Sequence, residues 1–172
     1  MANIKTVKED YLNESAIYNV IHYILCSSDL RYRSYAGMPF PYNSTGLKEE
    51  AEYATDLFKW VRHIYDKDEE TKRLLEHFVI GFAPQDCVVQ CYAEEIAQKI
   101  AEFIGQRFQV VYGVHVHEKD YGDYIHIHMA VNRVSYVDGN KFGERWGDTN
   151  LIKKYAEMVA PDINWQCSFH SC

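Results

Sequence analysis

The stretch FQVVYGVHVHEKDYGDYIHIHMAVN, residues 108–132, alternates with a period of two on either side of a polar turn. In its first half Phe108, Val110, Tyr112, Val114 and Val116 share one face, while Gly113, His115 and His117 share the other. In its second half Ile125, Ile127, Met129 and Val131 oppose His126, His128, Ala130 and Asn132. Successive side chains of a strand leave opposite faces, so this pattern predicts a β-hairpin turning through Asp120, Gly122 and Asp123. One face of the hairpin is apolar. The other carries four of the chain's eight histidines.

If Val116 and His117 pair near Tyr124, His115 falls opposite His126, within side-chain reach across the ladder. Three imidazoles from neighbouring strands suit a divalent metal and leave coordination positions open for substrate oxygen. The expected ligands are His115, His126 and His128, with His117 as the alternative third ligand. The plainer reading is a solvent-facing sheet surface that is rich in histidine.

Outward from the hairpin, Ile4 to Val7 reads as a short strand. Ser15 to Leu25 reads as a helix with Ala16, Val20, Ile21 and Ile24 at helical intervals and Ser15 as its cap. Leu30 to Gly46, rich in Arg, Tyr, Gly and Pro, reads as a long loop. A helix follows from about Leu47 to Ile64, with Ala51, Ala54, Phe58 and Val61 on one side. His77 to Phe82 is a β-type run closed by Ala83-Pro84. Asp86 is placed to cap a helix that Gly105 stops. Val137 to Asn140 signals a turn, and a last helix occupies roughly Asn150 to Val159 before Pro161. These elements predict an α+β fold: a mainly antiparallel sheet with the histidines on one face, helices packed on the other face, and further helices flanking the edges.

At 172 residues and 20.2 kDa the chain has room for one core, and residues 1–172 are read as a single domain. Hydrophobic residues at 47% and charged residues at 25% are ordinary globular proportions, which argues against a disordered chain. No run approaches the ~18 apolar residues of a membrane-spanning helix, and the polar N-terminus shows no secretory pattern. Five cysteines cannot all pair internally and form no CxxC, so they read as free thiols in a reducing cytoplasm. The net charge of −7, with a pI near 5.6, weighs against nucleic-acid binding. Its distribution lessens that weight, because residues 49–76 alone hold nine acids against five bases. The segments around Arg31 and after Asn132 are neutral to basic.

Taken together, these motifs resemble the relaxase family, the mobilisation nucleases that start conjugative DNA transfer. The run from Tyr112-Gly-Val-His115 through His126-Ile-His128-Met-Ala-Val-Asn132 to Asp138-Gly139 is similar to the family's histidine motif. His77-Phe-Val-Ile-Gly-Phe-Ala-Pro84 resembles its middle motif, with Gly81 where serine is usual. Ile17-Tyr-Asn-Val-Ile-His-Tyr23-Ile24 resembles the N-terminal motif that bears the catalytic tyrosine. The interval from His115 to His126 is longer than in near relatives.

The resemblance implies an HUH-endonuclease-like fold and site- and strand-specific nicking and joining of single-stranded DNA at a transfer origin. Tyr23 would be the nucleophile, forming a 5′-phosphotyrosine link, with Tyr18 as its near alternative. A histidine-bound divalent metal (Mg or Mn, with Zn also admissible) would polarise the phosphate. His22 and His77 are candidates for acid/base or DNA contacts. Arg31, Arg33, Arg133 and Lys141 are the expected DNA contacts, with Lys48, Arg145, Lys153 and Lys154 behind them. Tyr32, Tyr35, Tyr42 and Trp146 are candidates to stack on bases. Accessory mobilisation proteins would be partners, and the 172 residues would be a whole protein or a nuclease domain of a longer one. Three rivals stand beside this reading. Transposases and replication initiators place the tyrosine on a helix after the histidines, a layout that Tyr155 fits. A cupin-like metal enzyme is suggested by His115-Val-His117-Glu118. A metal-stabilised DNA-binding module without catalysis is the third.

Overall fold

The computed structural model describes residues 1–7, 9, 11–68, 73–86, 88–117, 124–143 and 149–168. In chain order the elements are β1 (Ala2–Thr6), α1 (Glu14–Cys26), β2 (Leu30–Ala36), α2 (Leu47–Ile64), β3 (Leu75–Gly81), α3 (Gln90–Gly105), β4 (Val110–His117), β5 (Tyr124–Asn132), α4 (Thr149–Val159) and β6 (Trp165–Ser168). The strands form one six-stranded sheet in the order β2-β4-β5-β3-β1-β6. Among the described residues, only the β1–β6 pair is parallel. The fold is α+β with a mostly antiparallel sheet, as the alternating patterns predict. A cupin-type barrel is thereby excluded.

The hairpin sets the register. His115 pairs with His126, Gly113 with His128 and His117 with Tyr124. The pairing anticipated from the sequence therefore holds, and the predicted turn at Asp120, Gly122 and Asp123 lies outside the described residues. Next to β5, His77 of β3 pairs with Ala130 and Val79 with His128.

The apolar sheet face, with Tyr112, Val114, Ile127, Met129, Phe78 and Ile80, is sealed by Ile96, Ile100 and Ile104 of α3 and by Ile152 and Ala156 of α4. Burying one such aliphatic or aromatic side chain contributes about 1.5–3 kcal/mol. Helices were expected on the opposite face and at the edges, but the histidine face carries them too. Its upper part presents Val111, Ala130 and Leu75, which need apolar cover. Ile17, Val20, Ile21, Ile24 and Leu25 of α1 and Ala51, Ala54 and Phe58 of α2 supply it. The histidines lie at the margin of this second core, beside α1.

Other departures have local causes. Leu30–Ala36 is an edge strand rather than a loop, because its period-two alternation is masked by Arg and Tyr, which an edge strand tolerates. Asn13, not Ser15, caps α1: its side chain accepts from the Ala16 N–H at 2.9 Å. Asp86 sits in a 3-10 turn and accepts from the Ala83 N–H at 2.8 Å, so α3 begins only at Gln90. Gly105 ends α3 through close packing: a Cβ there would stand 2.7 Å from the Ala36 Cβ and 3.0 Å from the Gly37 nitrogen. No helix is long and apolar enough to cross a membrane among the described residues, and Cys26, Cys91 and Cys167 are free thiols.

Candidate active site

Tyr23 stands at the C-terminal end of α1, whose last carbonyls have no partner within the helix. His115, fully buried on β4, supplies one: its Nε2–H donates to the Ile24 carbonyl at 2.8 Å. The approach is possible because residue 113 has no side chain. A Cβ on Gly113 would meet Leu30 Cδ1 at 2.9 Å, and Ile24 Cγ2 and its carbonyl oxygen at 3.1 Å. Gly113 thus lets the helix end settle on the sheet, and His115 ties it there.

The consequence is a phenol set over imidazoles. The Tyr23 ring, about half exposed, lies 5.3 Å from the His128 ring centroid, 5.9 Å from His115 and 6.4 Å from His77. The His115 and His128 rings are 4.6 Å apart, and His126 and His128 are 6.0 Å apart. Tyr23, His77 and His128 line a cleft of about 740 Å³ together with Tyr11, Asn13 and Asn19. A second cleft of about 340 Å³, lined by Asn3, Lys5, Tyr124 and His126, shares Val79 with the first.

Burial favours the neutral form of His77, His115 and His128. Desolvation, then the charges of Arg73 and His115, pushes His77 down to about 4. Desolvation first, with the neighbouring histidines next, pushes His128 down to about 2. Burial lowers His115 as well. A neutral imidazole carries the lone pair that both metal ligation and proton acceptance require.

One atom marks the site further. With its Nε2–H given to Ile24, the His115 Nδ1 holds a lone pair, is buried, and has no hydrogen-bond partner. A buried polar atom without a partner is costly, and a cation is one group that would satisfy this one. Among the described residues, no group of three or more His, Cys, Asp or Glu is arranged to hold a metal ion. His117, the alternative ligand, has its Nδ1 3.0 Å from Asp29 Oδ2.

The expected DNA contacts are spread around the sheet. Arg31 is exposed on β2 and donates to the Ser28 carbonyl at 3.1 Å. Arg33 is engaged twice by Glu50, at 2.5 and 2.6 Å. The Arg133 Nε lies 3.8 Å from Glu76 Oε1, and Lys141 forms an isolated bridge with Val134. Arg145 and Trp146 lie outside the described residues. Tyr18 packs near His22, with ring centroids 5.3 Å apart. Tyr155 stacks on Phe103 at 4.3 Å against the α3–α4 core, on the sheet face opposite the histidines. That position removes the support for the Tyr155 layout.

Tyr11 is the site residue that sequence reasoning missed. Its hydroxyl lies 3.1 Å from His77 Nδ1, and His77 Nε2 lies 3.2 Å from His128 Nδ1. His77 could have been placed at the site by extending the period-two rule to Leu75, His77, Val79 and Gly81. Tyr11, in an irregular segment, gave no periodic signal.

The site is thus an α+β sheet carrying a half-exposed tyrosine over buried imidazoles. The chain belongs to the relaxase family: residues 41–165 match its MobA/VirD2-like nuclease domain. It is similar to two Staphylococcus aureus proteins named Protein rlx, at 29% identity over 119 residues and 26% over 118. Those alignments cover 69% and 67% of this chain but 35% and 34% of the relatives. The chain therefore spans about a third of the length of the curated relatives it matches. The family match begins downstream of Tyr23.

Proposed function

We propose that this chain is the nuclease domain of a relaxase that nicks and rejoins single-stranded DNA at a transfer origin, with Tyr23 as nucleophile. The observation that carries the reading is the Tyr23 phenol, half exposed at the mouth of a cleft and in ring contact with His77, His115 and His128. In the cleavage step the Tyr23 oxygen forms a bond to the scissile phosphorus and gives up its proton. The bond to the 3′ oxygen breaks, and that oxygen leaves with the electron pair and takes up a proton. The product is a 5′-phosphotyrosine and a free 3′-hydroxyl, and the reverse step restores the phosphodiester.

His115, His126 and His128 are the residues that would hold a divalent cation (Mg, Mn or Zn), with His117 as the alternative. The partnerless Nδ1 of His115 supports the place of that residue in the set. Such a cation, when bound, polarises the non-bridging phosphate oxygens. The chain's own part is orientation: the His115–Ile24 bond fixes the end of α1 and hence the phenol, which supplies the proximity an in-line attack needs. Arg31, Arg33, Arg133 and Lys141 are the proposed DNA contacts, Arg33 being the one that would have to leave Glu50. The protein would act in the cytoplasm with accessory mobilisation proteins, and residues 1–172 would form a single nuclease domain.

The test is incubation with labelled single-stranded oligonucleotides spanning candidate origins in the presence of Mn²⁺. The wild type should give an SDS-resistant adduct, Tyr23→Phe none, and Tyr155→Phe a normal amount. Loss of the adduct in Tyr155→Phe alone would overturn the assignment. DNA retardation by wild type without any adduct would make the domain a binding module.

A further inference from the structure

We propose that the cleft beside Tyr23 receives the nucleobase next to the scissile phosphate, and that Asn19 determines which base is accepted there. The proposal rests on Tyr23 being the nucleophile and adds to it a residue that sets sequence preference.

The two clefts that share Val79 differ in charge. The larger, of about 740 Å³, lies in the size range of sites that hold small organic groups. Its walls are apolar at Leu12, Ala16, Val20 and Val79, and among the described residues its lining holds one acid, Glu9, and no lysine or arginine. Arg73, with its guanidinium carbon 5.4 Å from the Tyr11 ring centroid, is engaged outside that lining: it lies 3.3 Å from Glu76 Oε2 and donates to the Val7 carbonyl. A phosphate in this cleft would face the Glu9 carboxylate without a cation to offset it. A flat, neutral base would find apolar walls and hydrogen-bonding groups instead. The smaller cleft has the opposite character, since Lys5 lines it, exposed on β1 and paired in register with Val79. This division orients a single strand, with a base in the larger cleft and the backbone toward Lys5.

Asn19 is placed to read that base. It precedes Tyr23 by four residues on α1, so the two share one helix face a turn apart, and both line the cleft. The Asn19 side chain is exposed and makes no hydrogen bond among the described residues. Asn13, the other amide of the lining, already uses its side-chain oxygen on the Ala16 N–H. A carboxamide presents an acceptor and a donor side by side, which is what pairing with a base edge requires. The amide and the phenol ride on one helix whose end is fixed by the His115–Ile24 bond. A base held by Asn19 therefore bears a fixed relation to the phosphate under attack.

The experiment takes single strands that give an adduct with the wild type. They are remade with each of the four bases, or an abasic site, at the two positions flanking the mapped nick, and adduct rates are compared between wild type and Asn19→Ala. Asn19 is exposed and alanine is the better helix former, so α1 should be retained. The wild type should prefer one base at one flanking position by about 5–150-fold. Asn19→Ala should lose that preference, keep any preference at the other position, and match the wild-type rate on the strand that is abasic at the first. An unchanged preference in Asn19→Ala would overturn the proposal and leave Tyr23 standing. So would a wild type indifferent to both flanking bases, or a variant slowed equally on every strand, the abasic one included. A wild type that forms no adduct with any strand would overturn the Tyr23 reading and this proposal together.

Discussion

The two faces of the sheet are built from the same three strands and do different work. On the α3–α4 face Phe78, Ile80, Tyr112, Val114, Ile127 and Met129 are all buried in one apolar cluster. On the α1–α2 face the same strands present His77, Gly113, His115 and His128, and the cover is held by directed bonds: His115 to Ile24, Arg33 and Tyr35 to Glu50, Asn132 to Phe58. Apolar packing tolerates rearrangement among similar volumes, whereas a hydrogen-bonded site depends on particular atoms. The period of two is what permits this division, because stability and chemistry are assigned to alternate residues of each strand.

The largest expected effects separate the faces. Tyr23→Phe should lower adduct formation by roughly 10³-fold or more while leaving stability within about 0.5 kcal/mol, since the side chain is half exposed. Gel-resolved adducts and thermal melts measure the two quantities. Phe78→Ala should do the reverse. That residue is buried 5.7 Å from the Phe142 ring on the apolar face, and its truncation should cost about 3–5 kcal/mol in urea unfolding. Nicking per folded molecule should persist. If Phe78→Ala abolished nicking in fully folded protein, the division of labour between the faces would be broken.

Gly113→Ala tests the seam where the faces meet. The added methyl meets the Ile24 carbonyl and two apolar side chains at 2.9–3.1 Å, so the end of α1 must give by a few tenths of an ångström. A destabilisation of about 1–3 kcal/mol is expected, with a loss of adduct that stability alone does not explain, because the His115–Ile24 bond and Tyr23 shift with the helix. Equal losses of stability and activity would reduce Gly113 to a packing residue.

Much of this division was legible in the sequence because strand periodicity is local. The faces of β4 and β5, the His115–His126 pairing and the bounds of α2 all followed from residue spacing. What was not legible depends on long-range contact. Covering of the histidine face by α1 and α2 could not be read from the hairpin, since its cause is the apolar group of Val111, Ala130 and Leu75 brought together from three strands. The Tyr11–His77–His128 chain joins residues 66 and 51 positions apart. Arg33 reads as a DNA contact until Glu50, 17 residues later, is found against it.

That Arg33–Glu50 pair gives the smallest and most specific prediction. Glu50 is buried on α2 and accepts from Arg33 and from the Tyr35 hydroxyl at 2.8 Å. The hydrogen bond from Arg33 is the main cause that holds its carboxyl below the ordinary 4.5, against the opposing effect of burial. A group with a depressed native pKa adds stability above its unfolded pKa and loses that contribution as pH falls through the native value. Wild type should therefore lose urea stability progressively below about pH 4.5 through this pair. Glu50→Gln should show a shallower slope over the same range and lower stability at pH 7. Arg33 is about a third exposed, so solvent screening tempers the size of the effect without changing its sign. The effect belongs to the α1–α2 face alone: a substitution within the apolar cluster, such as Ile127→Val, should shift the whole curve and leave its pH slope unchanged.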